Sequence, residues 1–305
     1  MKKKIAFIGL GNLGCHLAAS LLRAGFKVTV HDLNAEAAAP LVENGARFEP
    51  TLRRTLASAH VVITSLPSPA ATDAVVTGDN GILANMARGA TWIEMSTNDP
   101  EAIKGLAAQA RRKGIETLEA PVTGGVHRAA SGEITVLVGG DQQVFEAHRP
   151  LFQAMGGEVI HMGALGQASV IKVITNMLAF IHLLAAGEAL TLAKCAGLDL
   201  AKAFHAIKAS SGNSFVHETE SQVILNGSYD IGFTIDLALK DLGITQKIAG
   251  GLGVPLDLAG LTEQTLRRAK GHYGGDAWSP KVVKLLEEAM GVDLRANGFP
   301  PRLEG

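Results

Sequence analysis

Apolar positions in the first half of the chain fall into short, β-branched runs at 5–8, 28–31, 61–65, 91–94, 116–120, 134–139 and 158–161. Between most of them the apolar residues spread to helical spacing, over 12–24, 35–44, 69–77, 99–112 and 142–154. Strand and helix in alternation predict a mainly parallel sheet covered on both faces. Asp99-Pro100-Glu101 reads as a helix start: a capping acceptor, proline at the first helical position, then an acid in the first turn. After about residue 163 the period changes. Helical spacing takes over at 166–196, 199–209, 215–226, 234–252, 256–271 and 279–290, with Gly197, Gly212, Gly227, Gly253-Val254-Pro255 and Gly274-Gly275 as punctuation. The pattern predicts a doubly wound α/β domain over 1–163, then an all-α domain over 164–305 entered by one long helix. No low-complexity linker separates them, and the Pro-rich end, 299–305, is expected to be extended.

Composition narrows the classes. The chain has 305 residues, 47% of them hydrophobic, enough for a sizeable core. Basic and acidic residues nearly balance, 28 against 29, which excludes a global nucleic-acid-binding charge and a disordered chain. Aromatics at 5% leave no base-stacking platform. Cys15 and Cys195 are far apart and form neither a disulfide framework nor a metal-ligand spacing; two reduced core thiols in a cytoplasmic protein are expected. The histidines form no cluster of metal type, so no metal is expected. Lys2, Lys3 and Lys4 precede an apolar run, 5–10, too short for a signal sequence. The long apolar stretch at 168–200 is interrupted by Lys172, Asn176, His182, Glu188 and Lys194, which favours a buried helix over a membrane span.

Gly9-Leu10-Gly11-Asn12-Leu13-Gly14 follows the first strand and opens a helix with the spacing G-x-G-x-x-G. As a bare string it is weak. Here it sits at a strand-to-helix turn, and a second strand follows that ends in Asp32. Gly9 permits the tight turn, Gly11 lets backbone approach a pyrophosphate, and Gly14 lets helix and strand pack closely, the Rossmann-type arrangement. The helix N-terminus offers N–H groups and a positive dipole to phosphate. A carboxylate at Asp32 accepts from ribose hydroxyls and repels a 2′-phosphate, and no arginine follows until Arg47, which favours NAD over NADP.

Thr123-Gly124-Gly125 follows the strand at 116–120, and a hydroxyl beside consecutive backbone N–H groups suits a carboxylate. Lys172 lies among Val170, Ile171, Val173 and Ile174, with Asn176 one turn further on the same face. A lysine there either snorkels to the surface or carries a desolvation cost that lowers its pKa toward the range useful for proton transfer. On spacing alone, Lys240-Asp241 is a solvated charge pair.

Four segments in order along the chain resemble the 3-hydroxyisobutyrate dehydrogenase family, the short β-hydroxyacid dehydrogenases: FIGLGNLG at 7–14, EAPVTGGVHRAASG at 119–132, GALGQASVIKVITN at 163–176 and KDLG at 240–243. Leu66-Pro67 and Ser96-Thr97 match family positions that line the cofactor. The resemblance implies that Lys172 is the general acid/base and that Asn176 holds the reacting oxygen. It implies that Thr123, Gly124 and Gly125 bind the substrate carboxylate, and that Lys240 closes over the nicotinamide end. Ser211 to Phe215 falls where the family shapes its substrate pocket. The sequence departs from the family pattern at Leu13 (usually Met), Thr123 (usually Ser), Ala168 (often Gly) and Asn98 (usually a branched aliphatic). His127, Arg128 and His217 are less familiar and bear on specificity. The function implied is hydride transfer between NAD and a small β-hydroxy acid, alcohol to semialdehyde, by a homodimer or homotetramer with no nucleic-acid or membrane partner. The alternatives are a reductase of another aldehyde acid, of the tartronate or succinate semialdehyde type, and a non-enzymatic or imine-reducing relative on the same scaffold. Lys172 weighs against the last two. The larger sugar-phosphate decarboxylases have a longer helical domain.

Overall fold

A computed structural model describes residues 3–303. Met1 and Lys2 of the basic N-terminus, and Glu304 and Gly305 of the tail, lie outside the described residues. In chain order, β1 (Lys4–Ile8), α1 (Gly14–Arg23) and β2 (Lys27–His31) form the first βαβ unit. A 3₁₀ turn (Ala35–Ala38), α2 (Ala39–Glu43), β3 (Arg47–Phe48), α3 (Leu52–Leu56), β4 (Val61–Thr64), α4 (Pro69–Thr77), α5 (Ile82–Asn85), β5 (Thr91–Glu94) and α6 (Pro100–Arg112) follow. The α/β part closes with β6 (Glu116–Glu119), β7 (Val122–Thr123), α7 (Val126–Ser131), β8 (Thr135–Gly139), α8 (Gln142–Met155) and β9 (Glu158–Gly163). Then come α9 (Gln167–Cys195), α10 (Leu200–Lys208), α11 (Phe215–Asn226), α12 (Ile235–Leu252), α13 (Asp257–Tyr273), a second 3₁₀ turn (Ser279–Val283) and α14 (Lys284–Met290).

Among the described residues the strands make one sheet of order β3-β2-β1-β4-β5-β6-β8-β7, with β9 added beside β8. The run from β3 to β6 is parallel; β8 meets β6 and β7 antiparallel and β9 parallel. Central strands are buried on both faces, which is why they read as largely apolar runs, and the polar residues at the ends of β4 and β5 pair with each other, the Thr64 hydroxyl donating to Glu94. Ile5 and Phe7 enter a core with Leu17, Leu21, Phe145 and Phe152, while Ala6 and Ile8 enter the opposite one with Trp92, Ile103 and Leu106. Asp99 caps α6 as its sequence predicts, accepting from the N–H groups of Glu101 (2.9 Å) and Ala102 (3.1 Å).

The chain divides into two compact units between Lys172 and Val173, inside the continuous helix α9. The expected boundary at 163 is the end of β9; the first turns of α9 belong with the sheet instead, because Glu119 holds them there. In the second unit, α9 to α14 surround a core that includes Phe180, Leu183, Leu190, Phe204, Ile224, Leu242 and Leu266. The tail is pinned rather than extended freely: the ring of Phe299 packs edge-on against Phe204, and Arg302 pairs with Asp230. Among the described residues α9 is the one helix long and apolar enough to cross a membrane, with mean hydropathy 1.8. One side of it is core, while Ile174, Leu178 and Leu192 are exposed, so the expected burial of this helix holds for one side of it. The expectation of two core thiols is corrected too. Cys195 is exposed because it ends α9 just before the Gly197 turn, and Cys15 is half-buried.

Candidate active site

The glycine-rich turn folds as its spacing requires. Gly9 has φ +93°, a conformation that other L-residues rarely adopt, and a Cβ there would lie 2.2 Å from the carbonyl oxygen of Ser65. A Cβ at Gly14 would lie 2.0 Å from the carbonyl oxygen of Gly9, so α1 packs directly on the turn that precedes it. At Gly11 a Cβ would meet nothing within 4 Å. The three positions thus separate into two that are sterically closed and one that faces open space, where a pyrophosphate would need it. Leu13, at the N-cap of α1, has no side-chain oxygen to satisfy the first N–H groups of the helix.

Asp32 ends β2 beside this turn. Its carboxylate accepts from the N–H of Leu10 (2.6 Å) and the N–H of Asn34 (2.8 Å), which holds its charge against the turn. Leu33 beside it is 99% exposed. Leu66-Pro67 and Ser96-Thr97 follow the C-terminal ends of β4 and β5, where open α/β sheets bind their ligands. The hydroxyl of Ser96 accepts from the N–H of Leu66 (2.7 Å), tying the two loops together. Leu66 also flanks the turn, since its Cδ2 lies 3.1 Å from the position of a Gly9 Cβ. Asn98 is buried, with its Nδ2 unpaired and its Oδ1 accepting from the N–H of Asp99 (2.9 Å). This polar group stands where the resemblance leads one to expect an aliphatic. The residues expected to hold a dinucleotide therefore fit one by an opening at Gly11, an uncapped helix start and a carboxylate at the ribose position.

Thr123 ends β7, and Gly124 (φ +121°) and Gly125 (φ +90°) turn the chain into α7. Two side chains from α7 fold back on this turn. Cδ of Arg128 lies 3.1 Å from where a Gly124 Cβ would be, and Cε1 of His127 lies 2.9 Å from where a Gly125 Cβ would be. Burial and the neighbouring guanidinium push the His127 imidazole below its usual pKa, favouring the neutral ring. On α9, Lys172 and Asn176 are 8% and 9% exposed, so Lys172 does not snorkel into solvent. In the second unit the Asn176 amide donates to Oδ2 of Asp241 (2.6 Å), and the Lys240 ammonium lies 2.9 Å from Oδ1 of the same carboxylate. Asp241 is 1% exposed, so Lys240-Asp241 is not the solvated pair its spacing suggests. Sequence reasoning missed Asp241 as the partner of Asn176; the burial of a charged residue within an apolar helical pattern was the available signal.

His217 takes no place in a polar cleft. It is buried in the second unit, with Nε2 on the carbonyl of Phe204 (3.0 Å) and Nδ1 beside the Ser221 hydroxyl (3.2 Å). This assigns it to core satisfaction rather than specificity. Among the described residues no group of His, Cys, Asp and Glu could hold a metal.

Comparison with known proteins gives the family. Residues 4–163 match the family model for the NAD-binding domain of 6-phosphogluconate dehydrogenase. Residues 166–286 match the NAD-binding model of NADP-dependent 3-hydroxyisobutyrate dehydrogenase. A Pseudomonas aeruginosa NAD-dependent L-serine dehydrogenase is 37% identical, over 95% of this chain and 99% of its own. A 3-hydroxyisobutyrate dehydrogenase of the same organism is also 37% identical, over 79% of this chain and 83% of its own. Among solved structures, a Mycobacterium tuberculosis 3-hydroxyisobutyrate dehydrogenase with L-serine superposes with TM-score 0.83 at 30% identity, covering 94% of this chain and 99% of that one.

Proposed function

Because the chain belongs to the 3-hydroxyisobutyrate dehydrogenase family, and is a nicotinamide-dependent dehydrogenase of small hydroxy acids, we propose that it oxidises the β-hydroxyl of a C3–C5 acid to the semialdehyde, with NAD preferred to NADP. The observation that carries this reading is Lys172, an amine held away from solvent one turn before a buried Asn176. Gly9 to Gly14 and Asp32 are the residues that hold the cofactor, and the bound nicotinamide supplies the acceptor for the hydride lost from the hydroxyl-bearing carbon. Thr123, Gly124 and Gly125 anchor the substrate carboxylate. The amide of Asn176, steadied by Asp241, fixes the reacting oxygen. Lys172 takes the hydroxyl proton as the C=O bond forms, and returns it in the reverse direction. Lys240 takes the substrate-binding role that the family resemblance implies for it. Asp32 supports the NAD preference, since its carboxylate repels a 2′-phosphate.

The same reading has the chain work in the cytoplasm as a homodimer or homotetramer. The exposed Ile174, Leu178 and Leu192 of α9, with Leu258 and Leu261 of α13, support the assembly. A panel of C3–C5 β-hydroxy acids, including 3-hydroxyisobutyrate and L-serine, assayed with NAD and NADP, tests the proposal. Turnover confined to alcohols without a carboxylate would overturn it.

A further inference from the structure

Glu119 ends β6, four residues before Thr123, the first residue of the proposed carboxylate-binding turn. Its side chain is buried, 1% exposed. Oε1 accepts from the N–H groups of Gly166 (2.6 Å) and Ala168 (2.9 Å), and Oε2 accepts from the Ser169 hydroxyl. Those donors are the entrance and first turn of α9, and Lys172 follows Ser169 by three residues on the same helix. A buried carboxyl group at the positive end of a helix, taking N–H groups that the helix itself leaves unpaired, is a strong clamp. Burial pushes the carboxyl group above its usual range, and the bonds from Ser169, Gly166 and Ala168 oppose that shift.

Space for this carboxylate is provided from the opposite strand. Glu119 and Gly139 are register partners between β6 and β8, and a Cβ at Gly139 would stand 2.4 Å from Oε1 of Glu119. No side chain larger than hydrogen fits there while the carboxylate keeps its place. Gly139 is not in the left-handed region, and although the β8–β9 register shifts between Val138 and Gly139, the contact that excludes a side chain there is the one with Glu119.

We infer that Glu119, housed by Gly139, is a positioning residue that sets the spacing between the carboxylate-binding turn and the Lys172 amine by clamping the first turn of α9 to the end of β6. The inference rests on the reading of Lys172 as acid/base. Reaction rates are sensitive to such spacing: a misplacement of about 1 Å can cost about 10²-fold. Cofactor affinity is expected to escape this dependence, because Gly9 to Gly14 and Asp32 follow β1 and β2, which stand three and four strands away from β6 in the sheet.

The test uses the full chain and three variants, Glu119→Gln, Glu119→Asp and Gly139→Ala. Amide hydrogen exchange is followed at 166–169, with kcat and KM for the best hydroxy acid and the NADH dissociation constant by fluorescence. In Glu119→Gln, exchange at 166–169 should rise at least about tenfold and kcat should fall about 10- to 100-fold, with NADH affinity within about twofold of native. Glu119→Asp, which keeps the charge, should recover part of the kcat. Gly139→Ala displaces the carboxylate without removing it and should reproduce the glutamine pattern. It decides the matter if Glu119→Gln does not fold. Native exchange and native kcat in Glu119→Gln, or in Gly139→Ala, overturn the inference. So does a loss of NADH affinity as large as the loss of kcat, which marks general damage. If the native chain turns over no hydroxy acid, the reading of the site fails, while the exchange comparison still decides whether the clamp exists.

Discussion

Alanine at Gly11 and alanine at Gly14 are the same chemical change three residues apart, yet the structure gives them different consequences. At Gly14 the new methyl would stand 2.0 Å from the carbonyl oxygen of Gly9, about 1 Å inside the closest approach that real Cβ atoms make. Both atoms belong to backbone, so α1 must shift relative to β1. Overpacking of this kind costs about 1–3 kcal/mol or more. That corresponds to a fall in Tm of several degrees, at about 2–4 °C per kcal/mol for domains of this size. At Gly11 the methyl meets nothing within 4 Å, so stability should be unchanged within about 0.5 kcal/mol. The same methyl would occupy the space that the pyrophosphate needs. A loss of about 1.4–2.8 kcal/mol there weakens NADH about 10- to 100-fold. Differential scanning calorimetry without cofactor and NADH fluorescence titration separate the two effects. Gly14→Ala should lose stability and affinity together, and Gly11→Ala affinity alone. A Gly11→Ala chain that binds NADH with native affinity would refute the placement of the pyrophosphate over this turn.

Three further outcomes are expected. Lys172→Met, close in volume, should lower kcat about 10²–10⁴-fold while NADH affinity stays native, and Lys172→Arg should not restore the rate, because a guanidinium does not release its proton; steady-state kinetics decide. Asp32→Ala should narrow the ratio of kcat/KM for NAD over NADP, since it removes the ribose acceptor and the repulsion together; an unchanged ratio would count against Asp32 as the discriminating group. Glu220 on α11 has an Oε2 sealed from solvent with no partner, and burial pushes its carboxyl up to about 8. A folded-state pKa raised above the unfolded value of about 4.3 means that folding takes up a proton, so this group's contribution falls as pH rises through that window. Glu220→Gln should therefore stabilise the chain more at pH 9 than at pH 5, by about 1–3 kcal/mol in unfolding free energy, and a uniform shift at both values would contradict it.

Much of this molecule is readable locally. The strand-turn-helix at Gly9 to Gly14, the cap at Asp99, the Lys172–Asn176 spacing and the change of period after 163 are written in residues a few positions apart. Short elements escaped: β3 with two residues, and α3 and α5 with five and four, are too brief for a period to show. So did the pairings that set the site. Glu119 meets the start of α9 across 47 to 50 positions, and Asn176 meets Asp241 across 65, and no local pattern encodes such distances. His217 shows the converse. A histidine near suggestive residues in sequence became a buried core group once its backbone partner at Phe204 could be seen.

The continuity of α9 through Lys172 and Asn176 has a consequence for how this enzyme can change over time. The two side chains are four residues apart on unbroken helix. Inserting or deleting one residue between them would turn one about 100° away from the other and shift it by about 1.5 Å. Length variation is therefore forbidden in this stretch. If the two side chains act together as proposed, new substrate preferences are reached by exchanging side chains along this helix rather than by changing its length.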